Sequence, residues 1–179
     1  MLRVFGFDTV AVVVGDLYFL DPVQKAGQEG PERGVRLEVR LLARQELPGS
    51  VYSSQPILVG RPVWRADLLE TIDHPGSWDR THHHPRFAGW EPGSRSYDQR
   101  MTDDAVGFLV EQLGDLPGLL QRAGLADHEL APGEAEQVAA TAPEIADVAG
   151  RLLDRVRAGE LASPPAGELA VAGARVGWL

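Results

Sequence analysis

The spacing of apolar residues changes period partway along the chain. In the first half it is short and strand-like. Leu2 to Phe7 and Thr9 to Val14 are rich in β-branched and aromatic residues, and Gly15-Asp16 offers a tight turn into Leu17 to Asp21, which predicts a hairpin. Pro22 to Gly34 has no apolar periodicity and reads as an exposed loop. Val35 to Leu41 alternates apolar and charged residues, the period of a strand with one face in water. Leu47 to Gln55, with Pro-Gly-Ser and Ser-Ser, reads as another loop. Ile57 to Glu70 is extended, and Pro62, which has no N–H for a ladder, predicts an edge position or a bulge. Beyond it, Trp64, Ala66 and Leu68 share one face, and Val63, Arg65, Asp67 and Leu69 the other.

After Arg100 the period lengthens to that of helices. Thr102 or Asp103 is placed to cap a helix with apolar positions Val106, Leu109, Val110 and Leu113. Asp115 followed by Pro117 starts a short helix that Gly124 closes. Thr141-Ala-Pro-Glu144 has the form of a capping box. Behind it runs the stripe Ile145, Val148, Ala149, Leu152, Leu153 and Val156. Glu144 and Asp147 near its start, with Arg151, Arg155 and Arg157 near its end, suit the helix dipole, and Gly159 is a natural stop. Ala162 to Gly167 is a linker to a tail, Glu168 to Leu179, apolar enough to dock as a strand or meet a partner. Strands first and helices after predict one α+β domain over residues 1-179. Its antiparallel sheet comes from the N-terminal half and packs against helices from the C-terminal half: strand-rich 1-100, helix-rich 101-160, linker and tail 161-179.

Composition narrows the chemistry more than the fold. The chain has no cysteine, which removes disulfides, thiolate ligands and thiol nucleophiles. Its apolar runs are far short of the ~20 residues of a membrane span, and its first residues lack the features of a signal peptide, so a soluble cytoplasmic protein is expected. The formal net charge of −9 argues against broad nucleic-acid binding. Trp78 to Arg100, however, holds Arg80, Arg86, Arg95 and Arg100 against Asp79, Glu91 and Asp98, a local island able to receive one anionic group. Nucleic acid is therefore reachable only near residues 78-100.

That island contains Trp-Asp-Arg-Thr-His-His-His-Pro-Arg-Phe-Ala-Gly-Trp, residues 78 to 90, and three readings of it compete. In the first, His82 and His84 bind metal: on an extended segment they point the same way, roughly 7 Å apart at Cα, with Asp67, Asp79, Glu91 or His74 as a third ligand. In the second, His82 and His84 are the general base and acid of metal-independent RNA cleavage, Arg65 or Arg80 holds the phosphate, and Trp78, Phe87, Trp90 and Tyr97 stack bases. In the third the cluster is structural. His83 packs inward, His82 and His84 bond backbone carbonyls, Trp78 and Trp90 are core anchors, Arg65 and Asp67 neutralise each other, and His74 and His128 are simply exposed.

The order of motifs adds a resemblance. A strand carrying Arg65-Ala66-Asp67, then His74-Pro75, then His82 to Pro85 and a helix, resembles the TumE-like toxins of bacterial toxin–antitoxin systems over roughly residues 57 to 115. The whole chain also looks like an actinobacterial protein. The toxin resemblance implies an RNA-cleaving or otherwise nucleic-acid-directed activity with Arg65, Asp67, His82 and His84 as site residues. The residues by themselves place a binding or accessory protein first, of immunity or antitoxin type, because an acidic surface masks a basic partner. The ribonuclease comes second and a small metal-dependent enzyme third. No organic cofactor is implied, and a protein partner or a second copy of the chain stays open.

Overall fold

The structure, a computed structural model, describes residues 1–21, 23, 29–126 and 128–164. Five antiparallel strands form a simple meander in chain order: β1 (Leu2–Gly6), β2 (Val10–Phe19), β3 (Glu32–Arg44), β4 (Ile57–Thr71) and β5 (His82–His84). A two-stranded ribbon, β6 (Phe87–Ala88) with β7 (Glu91–Pro92), follows. The helices α1 (Gln99–Asp103), α2 (Ala105–Gly114), α3 (Leu116–Arg122) and α4 (Glu134–Arg157) complete an α+β fold. None of them is long and apolar enough to cross a membrane.

Strand alternation sorts the sheet into two unlike faces. Val12 and Val14, Val35, Leu37 and Val39, and Trp64, Ala66 and Leu68 join Phe108, Leu109, Ile145, Ala149, Leu152 and Leu153 in the core, with α4 over the sheet and α2 packed on α4, its Phe108 reaching Trp64. The opposite face carries Arg36, Glu38 and Arg40 beside Arg65 and Asp67. That face was expected to be wet along Val35–Leu41. It is not: Glu38 and Asp67 are buried, and Arg36 and Arg40 lie along the sheet in ion pairs.

Several local expectations are corrected. No turn forms at Gly15-Asp16; β2 runs straight through, and the turn lies earlier, closed by Phe7 N–H to the Val10 carbonyl at 2.9 Å. Asp16 stays in the strand because its carboxylate takes the chain's terminal ammonium and, at 2.8 Å, the Ala162 N–H. The β3–β4 register shifts around Arg40 and Pro62, the bulge proline called for, and Val63 thereby joins the core instead of the Arg65 face. The loop expected over Pro22 to Gly34 ends early, at Glu32; residues 22 and 24–28 lie outside the described residues.

Among the helices, Asp104 is the cap of α2, its side chain accepting from Gly107 N–H at 2.8 Å, while Thr102 and Asp103 belong to α1. The buried stripe is Ala105, Phe108, Leu109, Gln112 and Leu113; Val106 is exposed. Asp115, Pro117 and Gly124 frame α3 as expected. Thr141 does not begin a helix. It sits inside α4, bonding the Gln137 carbonyl at 2.7 Å, and Glu134 and Glu136 occupy the first turn in place of Glu144 and Asp147. Burial of Val138 and Ala142 carries α4 across Pro143. Gly159 closes it with a positive φ. The expected strand at Glu168 to Leu179 lies outside the described residues.

Candidate metal centre

β5 is a three-residue edge strand, and its register does most of the positioning. His82 pairs with Asp67, His83 with Ala66 and His84 with Arg65. Alternation then places His82 and His84 on the charged face with Asp67 and Arg65, and His83 on the other. The strand is held from both sides. Arg80 N–H and Thr81 Oγ1 bond the Leu69 carbonyl before it, and His83 exchanges two backbone bonds with Ser96.

The two imidazoles converge. His82 Nε2 lies 3.1 Å from His84 Nε2, and these atoms lie 3.5 and 3.8 Å from Asp67 Oδ2. All three residues are buried. Each histidine is steered by its other nitrogen: His82 Nδ1 bonds the Arg80 carbonyl and His84 Nδ1 the Gly93 carbonyl, both at 2.7 Å. A carbonyl only accepts, so both Nδ1 atoms carry the hydrogen and both Nε2 atoms present lone pairs. Two neutral imidazoles own two N–H groups, yet three contacts call for one. The contact left without a hydrogen is Nε2 to Nε2.

A third proton is poorly placed to fill that gap. Burial lowers the affinity of both rings for a proton, and His84, with the Arg65 charge added, is held at about 4. Burial alone would push Asp67 up, but Arg36 and Arg65 outweigh it and hold the carboxylate at about 2. Arg36 Nε donates to Asp67 Oδ1 at 2.7 Å, and Arg65 Nε approaches Oδ2 at 2.9 Å. At neutral pH the cluster is thus two neutral imidazoles and one carboxylate, all offering lone pairs.

Those separations suit an ion. Bonds of ~2.0–2.2 Å from nitrogen and oxygen put neighbouring ligand atoms about 3.3 Å apart around a tetrahedral ion and about 3.0 Å around an octahedral one. The observed triangle is a few tenths of an ångström wider on its oxygen sides. Nδ1–H to carbonyl bonds are also the usual outer support of a metal-bound histidine, fixing the tautomer that exposes Nε2.

The sequence named His82, His84, Asp67 and Arg65, and the fold brings these four together. Arg80 is placed differently. Its guanidinium faces Glu32 and Asp79, at 3.6 and 3.7 Å, and its backbone carbonyl is what touches His82. The other candidate third ligands are elsewhere: Asp79 accepts from Thr71 N–H and Ser77 Oγ, His74 contacts Thr71, and Glu91 is exposed in β7. Of the aromatics, Phe87 and Tyr97 flank His84 and His82, with ring centroids 6.4 and 5.9 Å away. Half-buried Trp78 packs against the core with Arg157 over its ring, as the structural reading expected, whereas Trp90 is exposed beside Arg40 and is no core anchor. His83 packs inward between Trp64 and Phe108. His128 is half-buried, touching Thr9 Oγ1 at 3.2 Å. The histidine pair itself is buried; a hollow of about 260 Å³ opens on the far side, beside His83, Arg100 and Arg122.

Sequence reasoning missed Arg36; it anticipated that His82 and His84 bond backbone carbonyls, but not that these belong to Arg80 and Gly93. Arg36 had a signal: it lies on the charged side of the cleanest alternating strand, the side on which Asp67 must also fall if the strands pair. The chain matches no protein-family model, no curated protein and no solved structure.

Proposed function

We propose that this chain is a metalloprotein in which Asp67, His82 and His84 hold one zinc or ferrous ion. The observation that carries the reading is the hydrogen count: three nitrogen contacts, two hydrogens, and two Nε2 lone pairs brought together beside a carboxylate. Two imidazoles and one carboxylate suit zinc or iron better than magnesium or calcium, which favour all-oxygen shells. Three protein ligands leave a coordination position over, the arrangement of a catalytic ion and not of a closed structural one. The ion would polarise a bound water or substrate oxygen there. This puts the small metal-dependent enzyme ahead of the other functions.

The same residues serve the ribonuclease that the toxin resemblance implies, and Arg65 beside the pair favours that alternative. Burial of both rings counts against direct attack on an RNA chain, because neither Nε2 faces solvent. The acidic binding protein rests on net charge alone.

Metal content decides first. Protein purified without chelator is expected to carry up to one equivalent of zinc or iron by elemental analysis, and stripped protein to rebind one equivalent of Zn²⁺ in calorimetry. His82→Ala and His84→Ala are expected to weaken that binding at least about tenfold while keeping the native circular dichroism spectrum. Stripped wild-type protein that binds no divalent ion overturns the proposal. RNA cleavage that persists in chelator would move the assignment to the ribonuclease.

A further inference from the structure

The metal site has an unusual charge environment. Asp67 is one carboxylate between two guanidiniums, Arg36 and Arg65. Glu38, the next acid on this face, is taken by Arg40 at 2.6 Å. With neutral histidines the inner group of Arg36, Arg65 and Asp67 already carries one positive charge, and a divalent ion would raise it to three. The ion and Arg65 would be close: both sit on Asp67 Oδ2, the guanidinium nitrogen at 2.9 Å and the ion at about 2 Å, so they lie no more than about 5 Å apart. Buried charges that near are weakly screened, so this environment opposes a bare ion.

A second observation points to what relieves it. Arg65 Nε is buried and, although its distance to Asp67 Oδ2 makes an ion pair, its N–H finds no hydrogen-bond acceptor. A buried donor left unsatisfied calls for a partner. An acceptor beside Asp67 would reach both this N–H and the vacant coordination position. Tyr97, an exposed side chain, packs on His82, and half-buried Phe87 packs on His84.

We infer that the remaining ligand of the ion is an oxyanion, a phosphate or carboxylate group bridging the metal and Arg65, so that metal and oxyanion bind together. This rests on the metal reading of the site. The guanidinium fork supplies paired donors suited to either group, and the anion restores the charge that the ion upsets. By linkage, whatever factor the anion adds to metal affinity the metal adds to anion affinity.

The test uses chelator-stripped, full-length protein titrated with Co²⁺, read by calorimetry and by the visible absorption of the bound ion. Parallel titrations contain perchlorate, acetate or inorganic phosphate at equal ionic strength, corrected for Co²⁺ held by the anion itself. Phosphate, acetate or both are expected to tighten Co²⁺ binding at least about tenfold over perchlorate, and to change the absorption spectrum. The anion that does so fixes the class. In Arg65→Met that gain, taken relative to the variant's own Co²⁺ affinity in perchlorate, is expected to fall to about threefold or less. Arg65→Lys, which keeps the charge, covers the case in which the methionine variant does not fold, and is expected to retain part of the gain. Equal Co²⁺ affinity and unchanged spectra in all three salts overturn the inference while leaving the metal site standing, as does a full anion effect in the Arg65 variants. Protein that binds no Co²⁺ in any salt overturns the metal reading itself.

Discussion

Glu134 shows how one side chain can hold a fold closed. It is fully buried, and its carboxylate accepts from Thr9 N–H at 2.6 Å, Thr9 Oγ1 at 2.8 Å, Val10 N–H at 3.1 Å and Ala131 N–H at 2.9 Å. It ties the first turn of α4 to the β1–β2 turn. Burial works against its charge, but the bonds from Thr9 and Ala131 prevail and lower its pKa below the ordinary 4.5. Because the folded value is the lower one, the stabilisation is complete above the unfolded pKa and fades as pH falls through the folded pKa. Glu134→Ala strands three backbone donors and is expected to cost about 3 kcal/mol or more at neutral pH in urea unfolding. Glu134→Gln is expected to flatten the loss of stability below pH about 4.5; an unchanged acid slope would refute this role. None of it was legible in the sequence, since Glu134 meets partners some 125 positions away. The histidine pair was legible, because alternation alone puts His82 and His84 on one side. Asp67 followed by the same parity from Arg65. The carbonyls of Arg80 and Gly93, which aim the rings, belong to loop conformation and leave no mark on residue type.

At the scale of elements, β3 and β4 approach so closely at Gly34 that no side chain fits. A Cβ there would lie 1.9 Å from the Leu68 carbonyl oxygen and 3.0 Å from Leu69 Cα. Gly34 pairs with Leu69, two residues from Asp67. The obstacle is backbone, which cannot rotate aside, so Gly34→Ala is expected to cost about 2 kcal/mol or more and to lower the thermal midpoint by roughly 4–8 °C. A shift under one degree in calorimetric melting would show that the strands separate freely. The strand cores were readable from period two, α2 and α4 from their stripes, and α3 from its start and stop signals. Boundaries failed where a distant contact overrides a local signal. Gly15-Asp16 has turn chemistry, but Asp16 is claimed by the terminal ammonium and Ala162. Thr141 to Glu144 has cap chemistry, but the buried side chains of Val138 and Ala142 extend α4 past it.

The whole molecule divides its work between the two faces of one sheet: α4, with α2 packed on it, covers the apolar face, and charged side chains and the histidine pair occupy the other. One clasp couples them. Arg157, in the last turn of α4, lies 4.5 Å from the Trp78 ring centroid, and its Nε donates to Glu70 Oε2 at 3.2 Å. Its terminal nitrogen also bonds Glu70 Oε1. Glu70 is buried, and the same Oε2 accepts from Gly76 N–H at 2.8 Å. Trp78 is held at a positive φ, and four residues later the chain enters β5. The helix end thereby braces the loop that delivers His82. Arg157→Ala removes both the stacked cation and the main partner of a buried carboxylate, so it is expected to cost about 2–3 kcal/mol. Arg157→Lys, lacking the planar fork, is expected to recover less than half of that. Hydrogen exchange separates a local from a global effect. If the clasp braces the loop, the amides of Gly76, Arg80 and Thr81, each bonded within this region, lose protection in Arg157→Ala more than those of β2 and β3. A uniform loss across the sheet would make Arg157 an ordinary contributor to stability and leave β5 to be positioned by its pairing with β4 and by the Leu69 and Ser96 bonds.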